Sequence, residues 1–145
     1  MKLILQRVAE SSVLVDGKEV SHIKKGVTIF LGVEKGDGEN EASFLADKVL
    51  NLRIFPDENG KMNLSCLDIR GEILAVSQFT LAGDCSRGRR PGFDRAADPE
   101  TAEMLYRAFI KRLREGGVKV SEGIFGASMM VRVTNDGPVT FVLEK

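Results

Sequence analysis

The sequence predicts an α/β protein in three layers, two sheets covered by two main helices. Two segments, residues 42–50 and 102–113, carry an apolar residue every three or four positions, the period of a helix with one buried face. The other apolar runs are short, rich in Val, Ile and Phe, and bounded by Gly, Asp, Asn or Pro, as strands are. In order they give β-β-β-α-β-β-α-β-β-β. That order does not alternate cleanly, so a doubly wound parallel sheet is disfavoured.

Residues 3–8 and 13–15 read as strands, with Asp16-Gly17 as the hairpin turn that leads to Val20. Gly26 releases Val27-Thr28-Ile29-Phe30-Leu31-Gly32-Val33, a run apolar enough to be covered on both faces. After Gly36-Asp37-Gly38 the first helix puts Ala42, Leu45, Ala46, Val49 and Leu50 on one face, with Asn40 or Asp37 as its cap. Residues 52–55 read as a short strand ended by Pro56-Asp57-Glu58-Asn59-Gly60, and residues 72–77 as another. In the second helix Asp98 is the cap and Pro99 suits the first turn. Ala102, Leu105, Tyr106, Phe109, Ile110 and Leu113 form its buried face. Lys111, Arg112 and Arg114 lie where the helix dipole favours cations, and Gly116-Gly117 ends it. Strands at 118–121, 128–134 and 139–143 follow. With no repeat, linker or low-complexity tract, residues 1–145 read as one domain.

Composition narrows the function classes. The chain is 43% hydrophobic and 29% charged, which favours neither disorder nor a membrane class. Its 21 basic and 21 acidic residues cancel, so any nucleic acid must be met by a local cluster, not a global field. Cys66, Cys85 and His22 are too few and too scattered for a familiar zinc site; two reduced thiols are the plainer reading. No apolar run approaches the ~20 residues of a membrane span. A soluble, cytoplasmic protein is expected.

Two segments carry polar groups at strand ends: Ser77-Gln78-Phe79-Thr80-Leu81 and Asn135-Asp136-Gly137-Pro138-Val139-Thr140. Ser77, Gln78 and Thr80 either terminate a strand or meet a ligand, and the backbone N–H groups there can stabilise an oxyanion. Gly137-Pro138 is either a simple turn or a place where backbone faces a ligand, which glycine lets approach closely. A hydroxyl nucleophile wants a base. His22 beside Lys24 and Lys25 is a poor one, and Asp84 and Asp136 can equally serve turn amides. An esterase built on this chain must lean on backbone donors and on its substrate's own groups. Arg87-Gly88-Arg89-Arg90-Pro91 is the one concentrated basic cluster, either a solvated loop or a phosphate-contacting one.

The two strand-end segments, in this order, resemble the signature motifs of the bacterial-type D-aminoacyl-tRNA deacylases. The resemblance extends through Gln6-Arg7-Val8, Leu31-Gly32-Val33-Glu34, Arg53-Ile54-Phe55, Lys61-Met62-Asn63-Leu64, the Arg87 to Pro91 block and residues 125–129. Gly92 departs from it, standing where serine is common. The family implies hydrolysis of the ester joining a D-amino acid, or mischarged glycine, to tRNA, with no metal or cofactor. It implies a homodimer with its active sites at the subunit interface, and neither DNA nor a membrane as partner. Ser77, Gln78, Phe79 and Thr80 would line the catalytic pocket. Gly137 and Pro138, joined by a cis bond, would form a chiral gate reaching into the partner's pocket. Arg7 would support that gate and Met129 would wall the pocket, while Arg87, Arg89 and Arg90 would meet tRNA. Two mechanisms stand: Thr80 as nucleophile, or water assisted by the substrate's 2′-hydroxyl, the second favoured because no base stands ready for Thr80. The rival reading is a non-catalytic module that binds charged tRNA or an amino-acid-like ligand.

Overall fold

The computed structural model describes residues 1–145. Strand β1 (Lys2–Val15) is the spine. Asp16, at φ 50°, and Gly17, at φ 77°, turn the chain into β2 (Lys18–Ile23), and β3 (Gly26–Gly32) continues along the same edge of β1. The opposite edge of β1 pairs with β8 (Met130–Glu144). From β3 the chain passes through α1 (Glu39–Asn51) and the ribbon β4 (Phe55–Pro56) and β5 (Met62–Leu64). It returns as β6 (Glu72–Ser77), parallel to β3. A second crossover, α2 (Pro99–Glu115), leads to β7 (Lys119–Glu122), parallel to β6. The result is a six-stranded sheet, a two-stranded ribbon and two helices packed on each other.

Alternation along the strands sorts the core into two layers. Leu3, Leu5, Val27, Ile29, Leu31, Ile73 and Ala75 face the helices and meet Leu45, Val49, Leu105 and Phe109. Leu74 and Val76, pointing the other way, pack with Val8, Val13 and Ile23. They can do so because the far half of the β1–β2 hairpin curls over the sheet, bringing β2 against β6 and β7. Register shifts in the β1–β8 pairing at residues 6–10 mark where β1 bends. This is the three-layer α/β arrangement the sequence predicts, with the third layer made by bending.

Several details differ from the sequence reading. The strands expected at 128–134 and 139–143 are not two but one, β8, which starts at Met130 and runs on through residues 135–138. Residues 3–8 and 13–15 are one strand, because Ala9 and Glu10 keep extended backbone at the bend although both are exposed. The short strand is Phe55–Pro56, not 52–55, since Leu52 is the α1 C-cap. Neither Asn40 nor Asp37 caps α1. Gly38 holds that position, and the Glu41 carboxylate accepts its N–H at 2.9 Å. Asp37 is occupied elsewhere, accepting the Glu34 N–H at 2.6 Å. On α2 Asp98 does cap, accepting from Thr101 N–H at 3.0 Å, with Pro99 in the first turn.

Candidate active site

Strand β6 lies between β3 and the edge strand β7 and ends at Ser77, opposite Leu31 of β3. The Gln78 N–H donates to the Leu31 carbonyl at 2.7 Å, and the chain then closes into a 3-10 turn, Phe79–Ala82. The turn's own bonds run from Leu81 N–H to Gln78 O (3.2 Å) and from Gly83 N–H to Thr80 O (3.0 Å). Phe79 and Thr80 occupy its first positions, whose N–H groups have no partner within a helix. Gly32 makes this close packing possible. A Cβ there would lie 2.9 Å from both the Gln78 carbonyl oxygen and the Leu81 Cβ.

Beside this turn lies a cleft of about 480 Å³. Ser77, Gln78 and Phe79 form one side; Ala102 and Tyr106 of α2, the segment Phe125–Ala127 and Met129 form the others. Thr80 stands at its edge, exposed, its hydroxyl accepting a bond from the Gln78 side-chain amide. The wall is firm. Tyr106 donates its hydroxyl to the Ala75 carbonyl at 2.8 Å and lies 6.0 Å, ring to ring, from Phe125. Burial pushes the Tyr106 phenol up from its ordinary value, so it keeps its proton and its bond. A Cβ on Gly123 would meet the Met129 sulfur at 2.6 Å, so Gly123 seats that side chain. The sequence put Tyr106 among helix-core residues. Its second role, as cleft wall, has no sequence signal beyond its being the only tyrosine.

No imidazole or carboxylate lines the cleft. His22 is half exposed on β2, 4.0 Å from Glu10. Asp136 pairs with Arg7 at 3.3 Å. Asp84 accepts the Ser86 N–H at 2.8 Å, and that bond holds its carboxyl below the usual range. The two thiols are free; burial pushes Cys66 up to about 12, which keeps it protonated and inert.

The second motif lies on β8. Its Gly137–Pro138 bond is cis and Gly137 sits at φ 135°, where L side chains are strained. Arg7, buried in β1, holds it from below. Its Nε donates to the Asp136 carbonyl at 3.0 Å and its Nη1 to the Ile54 carbonyl at 2.7 Å. The Asn135 side chain accepts the Val139 N–H at 2.9 Å and donates to Thr140 Oγ1 at 3.0 Å. Gly137 and Pro138 are exposed, and neither lines the cleft of its own chain. Ser77, Gln78, Phe79 and Met129 are thus brought together, with Thr80 adjoining, while Arg7, Gly137 and Pro138 form a second assembly. Arg87 and Arg90 lie on a loop near the first, with Arg89 exposed beside them.

A small α/β domain with free backbone N–H donors at an apolar cleft has the arrangement that acyl-ester hydrolysis uses. Comparison with known proteins makes this particular: the D-Tyr-tRNA(Tyr) deacylase family model matches residues 4–144, and the chain belongs to that family. A D-aminoacyl-tRNA deacylase of Geotalea daltonii is 59% identical over 99% of this chain and 96% of its own. One from Pelobacter propionicus is 54% identical over the full length of both. Among solved structures, a c-Myc DNA unwinding element binding protein superposes with a TM-score of 0.94 at 42% identity, covering 100% of this chain and 99% of that one. A probable eukaryotic D-amino acid tRNA deacylase gives 0.84 at 18% identity over 98% and 97%, a likeness of fold.

Proposed function

We propose that residues 1–145 act as one deacylase domain that hydrolyses the ester of D-aminoacyl-tRNA and of mischarged glycyl-tRNA, releasing tRNA and the amino acid. The observation that carries this reading is the strand-end turn at the cleft, in a chain whose relatives bear that activity in their names. The ester carbonyl would lie against the Phe79 and Thr80 N–H groups, which stabilise the oxyanion as water adds to the carbonyl carbon. Collapse of the tetrahedral species expels the ribose oxygen, which takes a proton as it leaves. With no base in the cleft and the Thr80 hydroxyl already accepting from Gln78, the substrate's free 2′-hydroxyl is the group placed to relay that proton. Ser77 and Gln78 position the ester, and Met129 walls the cleft.

Chirality is read by exclusion. Gly137 and Pro138, supported by Arg7, would stand against the substrate's alpha carbon. An L side chain would collide with their backbone, a D side chain would point to solvent, and the hydrogen of glycine would pass. Because neither residue lines its own chain's cleft, the gate acts across a homodimer with its active sites at the interface. The outer edge of β8, unpaired and carrying exposed Met130, Phe141 and Val142, supports that arrangement. Arg87, Arg89 and Arg90 would meet the RNA. No helix is long and apolar enough to cross a membrane, and a cytoplasmic site of action fits this substrate.

Hydrolysis of D-Tyr-tRNA, L-Tyr-tRNA and Gly-tRNA by the metal-stripped protein tests the reading. Loss of the D and glycyl esters with the L ester spared is expected. Binding of all three esters without turnover would instead establish a non-catalytic module.

A further inference from the structure

Beyond the cleft, a second concavity of about 230 Å³ is lined wholly by polar residues and glycine: Asp84, Arg87, Arg90, Gly92, Asp94 and Arg95. Its frame is held at several points. Asp84 and Gly92 exchange both backbone hydrogen bonds, at 2.8 and 2.9 Å, closing the arginine loop at its neck. Beyond the neck, the Arg95 carbonyl accepts the Lys35 N–H at 2.8 Å, and Ala97 N–H donates to Val33 O at 3.1 Å. The Arg95 guanidinium is in an ion pair, Nη2 lying 2.9 Å from Glu34 Oε1 without hydrogen-bond geometry, while its side chain stays 68% exposed. Of the two carboxylates, Asp84 is already turned to the Ser86 N–H. Three carboxylates, Asp84, Asp94 and Glu34, stand near the three guanidinium groups, yet only Arg95 is in an ion pair, which leaves the Arg87 and Arg90 forks free. Free guanidinium forks side by side are a donor set that suits phosphate oxygens.

The seat is also tied to the catalytic turn. Phe93, next to Gly92, packs its ring 5.0 Å from that of Phe79, and a Cβ on Gly83 would meet the Phe93 ring at 3.1 Å. An anion bound by Arg87, Arg90 and Arg95 would so be fixed relative to the Phe79 and Thr80 donors. An aminoacyl ester on a terminal ribose has phosphodiesters following it along the strand, one per nucleotide. We propose that Arg87, Arg90 and Arg95 form a seat for a backbone phosphodiester of the single-stranded 3′ end that carries the ester. Arg95, which the sequence reading left out, is its third member, held beside the loop by its ion pair with Glu34. Arg89 does not line it. This inference rests on the tRNA-ester reading above.

The test uses Arg87→Gln/Arg90→Gln, with Arg95→Lys as a milder variant that keeps the pairing with Glu34 but loses the fork, and Lys111→Gln on α2 as a charge control. Affinity for uncharged tRNA is followed against salt, and turnover is measured on D-tyrosyl-tRNA and on D-tyrosyl-adenosine, which has no phosphate. The double variant should flatten the slope of log affinity against log salt by about 0.7, the value for one single-strand phosphate contact. It should raise KM for the tRNA ester about tenfold and leave the adenosine ester unaffected. An unchanged salt slope overturns the seat. So does an equal loss on both esters, which would make the loop a prop for Phe79 only. If the native protein cleaves neither ester, the hydrolase reading falls, while the salt slope on uncharged tRNA still decides the seat.

Discussion

At the scale of single residues the sharpest question is what Thr80 does. Its hydroxyl is adjacent to the proposed oxyanion donors, yet it is exposed and accepts from the Gln78 amide, and no basic group stands by to take its proton. A nucleophile in that setting is no better than water. A positioned proton-transfer group contributes roughly 10²–10⁴-fold to a rate. Two substitutions, one on the protein and one on the substrate, therefore separate the mechanisms. Thr80→Ala, checked for native fold by circular dichroism, should keep kcat within about tenfold, since its backbone N–H remains. A D-aminoacyl ester on 2′-deoxy-terminated tRNA should lose at least about a hundredfold in single-turnover rate with the native protein. The reverse pattern would make Thr80 the nucleophile. Arg7 illustrates a different residue-scale logic: its guanidinium serves two backbone carbonyls and one carboxylate at once, a geometry lysine cannot reproduce.

Among the elements, the β6 strand end and β3 form one unit, and Gly32 is where they touch. A methyl group there would sit 2.9 Å from a backbone oxygen, which cannot swing away as a side chain would. Gly32→Ala should cost about 1–3 kcal/mol in denaturant unfolding, by overpacking. It should lower kcat on both D-Tyr-tRNA and Gly-tRNA while the D-over-L preference persists, because the gate lies on β8. A variant with unchanged kcat would mean that the turn tolerates displacement. Much of this level is legible in sequence. Asp98-Pro99 announces α2, and the uninterrupted apolar run after Gly26 announces a strand covered on both faces. The α1 cap is less so, because Asp37 serves the Glu34 amide through a contact that helix rules do not contain. The unity of β1 also escapes: exposed Ala9 and Glu10 read as a break, but bulged pairing carries the strand through them. Motif residues place the strand-end turn at the cleft and the exposed Gly137-Pro138, while the second role of Tyr106 and the inclusion of Arg95 beside Arg87 and Arg90 depend on packing between distant segments.

At the scale of the whole molecule, the two motifs lie on different assemblies of one chain: the turn at the cleft, and Gly137-Pro138, the proposed gate, exposed on β8. A gate that serves its own cleft and one that serves a partner's make different predictions when two variants are mixed. Ala102→Phe fills the cleft with a bulky ring but leaves the gate intact. Gly137→Val spoils the gate, at a glycine of φ 135° with Arg7 Nη2 3.0 Å from the added carbon, but leaves the cleft open. Alone, the first should be inactive, and the second should hydrolyse D- and L-Tyr-tRNA alike. After unfolding and refolding together in equal amounts, random pairing puts about half of the open clefts opposite an intact gate. L-ester hydrolysis per open cleft should then fall to about half, and toward zero with excess Ala102→Phe chain, while D-ester hydrolysis holds steady. Sedimentation of the mixture reports whether dimers are present. A gate working within its own chain would leave the L-to-D ratio untouched at every mixing ratio, even if the protein dimerises. Only a gate supplied by the other subunit ties the stereochemical fidelity of one cleft to the sequence of its neighbour.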